Sequence, residues 1–157
     1  MSKLRKLIIL DDDTHFSGML ALKLQQYFPE MAVTSSNGSE IVPGYDIYIL
    51  DNDFCGEKKG AMLAEKVRSV SPGSLVIMLS ATLELDLLKR LVNCHAAGVF
   101  DKGQPDDLEN MIALVDSFLL AQRPQQATAK QSLGETVTGI SKLIGEWNKR
   151  LSYEERI

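Results

Sequence analysis

Residues 45–53, Tyr45-Asp46-Ile47-Tyr48-Ile49-Leu50-Asp51-Asn52-Asp53, form an apolar run that ends abruptly in acidic residues. Pro43 and Gly44 precede the run, and its centre is rich in Ile and Tyr. This composition predicts a strand buried on both faces, as in a parallel sheet. The carboxyl ends of such strands form the edge at which open α/β sheets bind ligands. We therefore expect Asp51 to lie at a functional edge.

Four further strands are predicted, and most of them also end in polar side chains. Leu7–Leu10 runs into Asp11-Asp12-Asp13, and residues 75–80 are apolar up to Ser80. A short strand is expected around residues 31–34, and another at 98–100 is followed by Asp101-Lys102. Because parallel strands end at the same edge of a sheet, these polar residues are expected to lie near Asp51.

Helical periodicity is found in most of the segments between the strands, at 14–28, 60–70, 82–94 and from Pro105 to about 121. Alternating strands and helices predict an α/β fold with a five-stranded parallel sheet and helices on both faces. One connection differs from this pattern. Only four residues separate Gly38 from Pro43, too few for more than about one helical turn.

Length and composition restrict the class of protein. The 157 residues suit one domain with an appendage, and the net charge of −4 comes with no basic stripe, so we expect no nucleic-acid binding by this chain. No signal peptide or membrane-spanning segment is recognisable. The two cysteines form no disulfide framework, which favours a cytoplasmic setting.

Asp11, Asp12 and Asp51, with Asp53 close by, would bring several carboxylates to one edge of the sheet. Like charges at short range repel one another unless a cation neutralises them. Mg²⁺ prefers one or two carboxylates together with water and a phosphoryl oxygen. The pattern therefore predicts a Mg²⁺ site.

The remaining polar strand ends suit phosphoryl chemistry. Ser80 could donate a hydrogen bond to a phosphoryl oxygen, and Lys102 could neutralise another. A carboxylate beside a bound cation can act as a nucleophile and form an aspartyl phosphate. Asp51 is the candidate for that role, although it could also be an ordinary loop residue.

In this order and spacing, Asp11-Asp12, Asp51, Ser80-Ala81 and Lys102 resemble the motifs of the receiver domain of bacterial two-component response regulators. The resemblance covers residues 5 to about 121 and implies a flavodoxin-like strand order, 2-1-3-4-5. It implies that Asp51 accepts a phosphoryl group from a histidine kinase or phosphotransfer protein, with Mg²⁺ bound by Asp11, Asp12, Asp51 and the carbonyl of Asp53. Ser80 and Lys102 would contact the phosphoryl group.

The chain departs from the pattern of this family in the acceptor loop and at the switch aromatic. Family members usually have Pro four residues after the acceptor and Gly eight after it, whereas this chain has Cys55 and a late Gly60. A differently shaped acceptor loop is expected. The aromatic that reports the switch usually stands three residues before the Lys, where Val99 is found, so Phe100 is the candidate in its place.

Two other functions remain open. The segments around Asp51-Asn52-Asp53, Ser80 and Lys102 are also similar to the motifs of haloacid-dehalogenase-type phosphohydrolases, with Asp51 as nucleophile and Asp53 as general acid. In that case Asp11-Asp12 would have no role. The third possibility is a pseudo-receiver, a binding module that keeps the fold without phosphorylation. The receiver resemblance favours a phospho-accepting signalling protein over an enzyme.

The predicted organisation is a receiver domain at residues 1–122, a polar linker at 123–131 and an amphipathic helix at 132–152. Ser132 and Glu135 suit a capping box, and an apolar seam of nearly three heptads follows. An isolated helix of this length is marginal, so it must pack on something. It could dock on its own receiver, pair with a second copy or bind a downstream protein.

Overall fold

The structure is a computed structural model that describes residues 3–81 and 84–122. The predicted linker and the predicted helix 132–152 lie outside these residues. The strands are β1 (Lys6–Leu10), β2 (Ala32–Ser36), β3 (Ile47–Asp51), β4 (Asp53–Phe54), β5 (Glu57–Lys58), β6 (Leu75–Ser80) and β7 (Gly98–Asp101). The helices are α1 (Thr14–Tyr27), α2 (Gly60–Val70), α3 (Leu85–Asn93) and α4 (Pro105–Ala121).

The chain divides into two compact units, Met1–Val115 and Asp116–Ile157. The described part of the second is residues 116–122, of which 116–121 belong to α4. In the described part of the chain, no helix is long and apolar enough to cross a membrane.

Five parallel strands form the main sheet in the order β2-β1-β3-β6-β7. Counting these five strands alone, the order is 2-1-3-4-5, as predicted. The register pairs Leu10 with Leu50 and Asp51 with Leu79, so β1, β3 and β6 end at nearly the same level. The residues that follow these strands therefore emerge at one carboxyl edge.

Strand β3 lies in the middle of the sheet, and all five of its residues are buried. Tyr48 and Leu50 belong to a core cluster that also contains buried residues of α2 and α3. Because side chains alternate along a strand, Ile47 and Ile49 point to the opposite face. Burial on both faces explains why β3 is a continuous apolar run rather than an alternating one.

The connection between β2 and β3 contains no helix, in agreement with its short length. An irregular segment, residues 37–46, covers the sheet instead, and its Ile41 is buried in the core cluster. The fully buried Tyr48 donates its hydroxyl hydrogen to the carbonyl of Val42 at 2.6 Å, and its ring lies edge-on to Tyr45. A buried tyrosine thus finds the hydrogen-bond partner that it requires.

The first residue of helix α2 is Gly60, and no larger residue fits at this position. A Cβ at this position would lie 2.7 Å from Oδ1 and 2.9 Å from Cα of Asn52, and 2.8 Å from the sulfur of Met78. The Gly60 N–H also donates to the Asn52 side chain at 3.2 Å. The close approach brings the start of α2 against the carboxyl end of β3.

We expect Gly60→Ala to lower the free energy of unfolding by about 1 to 3 kcal/mol, because the new methyl group would overlap a backbone atom. Gly18, within α1, serves as the matched control, since a Cβ added there would meet no neighbouring atom within 4 Å. Gly18→Ala should raise stability by up to about 1 kcal/mol through helix propensity. Urea unfolding followed by circular dichroism measures both; equal stabilities of the two variants would contradict the packing argument.

Candidate functional site

The ends of three strands bring two carboxylates and one ammonium group into contact. Asp11 follows β1, Asp51 ends β3 and Lys102 follows β7. The Lys102 Nζ lies 2.6 Å from Oδ2 of Asp11 and 3.2 Å from Oδ1 of Asp51. Only 1% and 3% of the two aspartate side chains are exposed, so water screens this interaction poorly.

Asp12 completes a group of three carboxylates. It is exposed, and its Oδ2 accepts the backbone N–H of Cys55 at 2.8 Å. Asp11, Asp12 and Asp51 each have one carboxylate oxygen within 4.8 Å of the corresponding oxygens of the other two. The neighbouring Asp13 instead caps α1, and its Oδ1 accepts the N–H of Phe16 at 3.1 Å.

The donor set suits a hard divalent cation. Three carboxylates face one ammonium group, which leaves an excess of negative charge. Among the described residues, Asp11 Oδ2 and Asp51 Oδ1 are buried oxygens that make no well-formed hydrogen bond, although both are paired with Lys102. Oxygen ligands with unsatisfied negative charge are those that Mg²⁺ prefers.

Protonation of Asp51 reflects this crowding. Burial and the Asp11 carboxylate raise the pKa of Asp51 to about 6, against the opposing effect of Lys102. Burial alone would lower the pKa of Lys102, but its pairing with Asp11 and Asp51 outweighs burial and raises that pKa. Lys102 is therefore a fixed positive charge, whereas Asp51 is charged only at a cost in free energy.

A network of backbone contacts holds the segment that carries Lys102. The Lys102 N–H donates to the carbonyl of Ser80 at 3.2 Å, and the Asp101 N–H donates to Asp107 Oδ2 at 2.8 Å. The Lys102 ammonium lies 4.7 Å from the centre of the Phe16 ring, a cation–π contact. No sequence pattern predicted this contact, which joins α1 to the residue that follows β7.

Ser80 and Phe100 occupy different positions relative to the carboxylates. Ser80 is fully buried at the end of β6, beside Asp101 of β7 in the sheet register. The Phe100 ring covers Gly98, because a Cβ added to Gly98 would lie 2.7 Å from a ring carbon. Val99 packs on the core cluster, so Phe100 and Gly98 lie on the other face of the sheet. Phe100 thus does not share a face with Val99, the position expected for the switch aromatic.

The loop between β3 and α2 contains a short hairpin that periodicity did not predict. Strands β4 and β5 pair antiparallel through a two-residue turn, with φ values of 51° at Cys55 and 82° at Gly56. Positive φ at both positions is typical of the tight turns that connect hairpin strands. Asp53, whose side chain is not among the three clustered carboxylates, pairs with Lys58 across this hairpin.

No family model matches the sequence, and no curated protein does. Solved structures with a similar fold are found. A response regulator receiver protein from Pseudoalteromonas atlantica has a TM-score of 0.64 at 12% identity, over 75% of this chain and 99% of that one. The chain has the receiver fold. The BeF3-activated DrrB receiver domain gives 0.62 at 20% identity, over 74% and 98%.

A third receiver-fold neighbour is a response regulator from Burkholderia pseudomallei whose structure contains a phosphorylated aspartic acid, a calcium ion and citrate. It gives a TM-score of 0.58 at 16% identity, over 83% of this chain and 72% of that one. At these identities the likeness establishes the fold, and the chemistry of the site has to be argued from the residues of this chain.

The raised pKa of Asp51 predicts a pH dependence of stability in EDTA. Between pH 3.8, the ordinary pKa of Asp51, and about pH 6, the folded chain binds more protons at Asp51 than the unfolded chain. The free energy of unfolding therefore falls as pH rises through this range. Asp51→Asn removes this loss. We expect the variant to be more stable than wild type at pH 7 by at most about 3 kcal/mol, since one pKa unit corresponds to about 1.4 kcal/mol.

Well below pH 3.8 the difference should vanish, because the wild-type carboxyl is then protonated in both the folded and the unfolded state. Urea unfolding over a series of pH values measures it. A stability difference that does not change with pH would contradict the proposed titration.

Proposed function

We propose that this chain is a response-regulator receiver that accepts a phosphoryl group on Asp51 and signals through protein–protein contacts. One observation carries the proposal: Asp11, Asp12, Asp51 and Lys102 converge at the carboxyl edge of a receiver-fold sheet. The phosphorylated aspartic acid and the calcium ion in the Burkholderia pseudomallei protein support it, because the same fold accommodates both there.

The chemistry is transfer from phosphohistidine to carboxylate. An oxygen of Asp51 attacks phosphorus, the P–O bond forms as the P–N bond of the donor breaks, and the imidazole leaves. Asp51 has to be ionised for this attack. A Mg²⁺ ion bound by Asp11, Asp12, Asp51 and the carbonyl of Asp53 would supply positive charge for the three phosphoryl oxygens.

Two further residues would serve the phosphorylated state. Lys102, already held between two carboxylates, can pair with a phosphoryl oxygen with little movement. Ser80 lies at the adjacent strand end and can donate its hydroxyl hydrogen after a rotamer change. A phosphoryl group on Asp51 would move Phe100 only indirectly, since the Phe100 ring packs on Gly98, on the face of the sheet opposite the core cluster.

The proposed function requires a phosphoryl donor and a downstream partner. A histidine kinase or phosphotransfer protein in the cytoplasm would supply the phosphoryl group. Downstream, residues 132–152 would bind another protein or a second copy of the chain. With a net charge of −4, nucleic-acid binding by this chain has no support.

The phosphohydrolase alternative has less support. Its general acid would be Asp53, which is engaged by Lys58, and its last acidic motif would be Asp106-Asp107. Asp107 accepts a backbone N–H from Asp101 instead. That alternative also leaves the buried Asp11 without a role. The pseudo-receiver alternative does not explain the raised pKa of Asp51, or why one buried oxygen each of Asp11 and Asp51 makes no well-formed hydrogen bond.

Incubation with acetyl phosphate and Mg²⁺, followed by intact mass spectrometry, tests the proposal. We expect one phosphoryl adduct per chain, no adduct in EDTA and none in Asp51→Asn, which lacks the nucleophilic oxygen. Asp106→Asn makes the same change at an exposed position of α4 and should keep the adduct. Turnover of phosphomonoesters without a stable adduct would favour the phosphohydrolase, and no reaction at all would favour the pseudo-receiver.

Asp53 is expected to affect the lifetime of the aspartyl phosphate. It lies two residues after the acceptor, and its pairing with Lys58 fixes its carboxylate in the acceptor hairpin, where it can position an attacking water. Asp53→Asn should therefore lose phosphate severalfold more slowly. Glu57→Gln, in the same hairpin but exposed, is the control. Equal decay rates of wild type and Asp53→Asn would discard this role.

A further inference from the structure

The acceptor hairpin contacts the acidic cluster directly. The backbone N–H of Cys55 donates to Oδ2 of Asp12 at 2.8 Å, across 43 positions of sequence. The donor stands at the first position of the turn, where φ is 51°. Asp12 is the exposed member of the three clustered carboxylates, whereas Asp11 and Asp51 are held by burial.

This difference in exposure matters for cation binding. An exposed aspartate samples several rotamers, and fixing one of them opposes binding. A hydrogen bond from outside the ligand set removes this cost by orienting the carboxylate in advance, as partners beyond the direct ligands of a metal commonly do. Asp12 keeps Oδ1 and a second lone pair on Oδ2 for a cation.

We propose that the Cys55–Gly56 turn is a positioning device that orients Asp12 and thereby sets the cation affinity of the site. The inference deepens the proposed function and rests on it for the identity of the cation. The positioning group is the backbone N–H of Cys55. The thiol contributes nothing, so any residue that accepts the same backbone conformation can replace it.

The hairpin is anchored well enough to act in this way. Phe54, next to the turn, is 3% exposed and belongs to the core cluster, and the Asp53–Lys58 ion pair links the two short strands. Before the hairpin, the Asn52 N–H donates to the Leu79 carbonyl at 3.1 Å. After the hairpin, the Lys59 N–H donates to the Asn52 carbonyl at 2.9 Å. The turn is therefore fixed relative to β3 and β6.

Backbone conformation supplies the test. Asn tolerates a positive φ, whereas a β-branched residue strongly disfavours it. Cys55→Asn should leave the Mg²⁺ affinity of the full chain within about twofold of wild type, and Cys55→Val should weaken it about tenfold or more, the effect typical of such outer partners. Calorimetric titration with Mg²⁺ measures both. Equal affinity of the Val variant and wild type, or equal weakening in both variants, would overturn the proposal.

Amide hydrogen exchange keeps the proposal testable if the Val variant is poorly folded. In the metal-free wild type, the amide of residue 55 should be protected, and Asp12→Ala should remove that protection while amides in β3 and β6 stay protected. Exchange at residue 55 that is unaffected by Asp12→Ala would overturn the proposal.

The same proteins separate this inference from the proposed function. If wild type takes phosphate on Asp51 while Cys55→Val binds Mg²⁺ as tightly as wild type, the positioning role is wrong and the receiver function stands. If Mg²⁺ affinity depends on the turn but no phosphoryl adduct forms, the positioning role stands and the phospho-acceptor function is wrong. If wild type binds no Mg²⁺, the positioning role is wrong, and the adduct experiment alone decides the function.

Discussion

Two nearly fully buried carboxylates, Asp11 and Asp51, share a single ammonium group, that of Lys102. The arrangement follows from the parallel sheet, which brings the ends of β1 and β3 side by side and the β7 end within reach. Burying charges is costly, and one cation does not balance two anions and the nearby Asp12. Stability is therefore given up at this edge of the sheet, where a bound divalent cation could restore part of it.

The position of Lys102 depends on residues from four separate elements, β7, α4, β6 and α1. Asp101 and Asp107 hold its backbone segment, Ser80 accepts its N–H, and Phe16 supplies an aromatic face to its ammonium group. Because Lys102 pairs directly with Asp51, the charge of Asp51 acts on the segment that joins β7 to α4. Phe100 and Val99, in the neighbouring strand β7, lie on opposite faces of the sheet.

Sequence periodicity predicted the sheet and the edge of the site because both depend on long, regular apolar runs. The bounds of α2, β6 and α4 agree with those expected, and the polar residues that follow the strands do meet. The hairpin could not be found in the same way, because two-residue strands have no periodicity and Cys-Gly is a weak turn signal. The contacts of Phe16 with Lys102 and of Cys55 with Asp12 join distant segments, and no local pattern encodes them.

The two unusual connections of this chain both attach to β3. On the amino-terminal side, the segment that replaces a helix places Ile41 in the core and offers the Val42 carbonyl to Tyr48. On the carboxyl side, the hairpin buries Phe54 and bonds to Asp12. The first connection adds contacts to β3, and the second packs Phe54 into the core cluster that contains Tyr48 and Leu50 and adds a hydrogen bond to Asp12 after β1. The contacts of both connections therefore help to hold β3, with Asp51 at its end, at the carboxyl edge of the sheet.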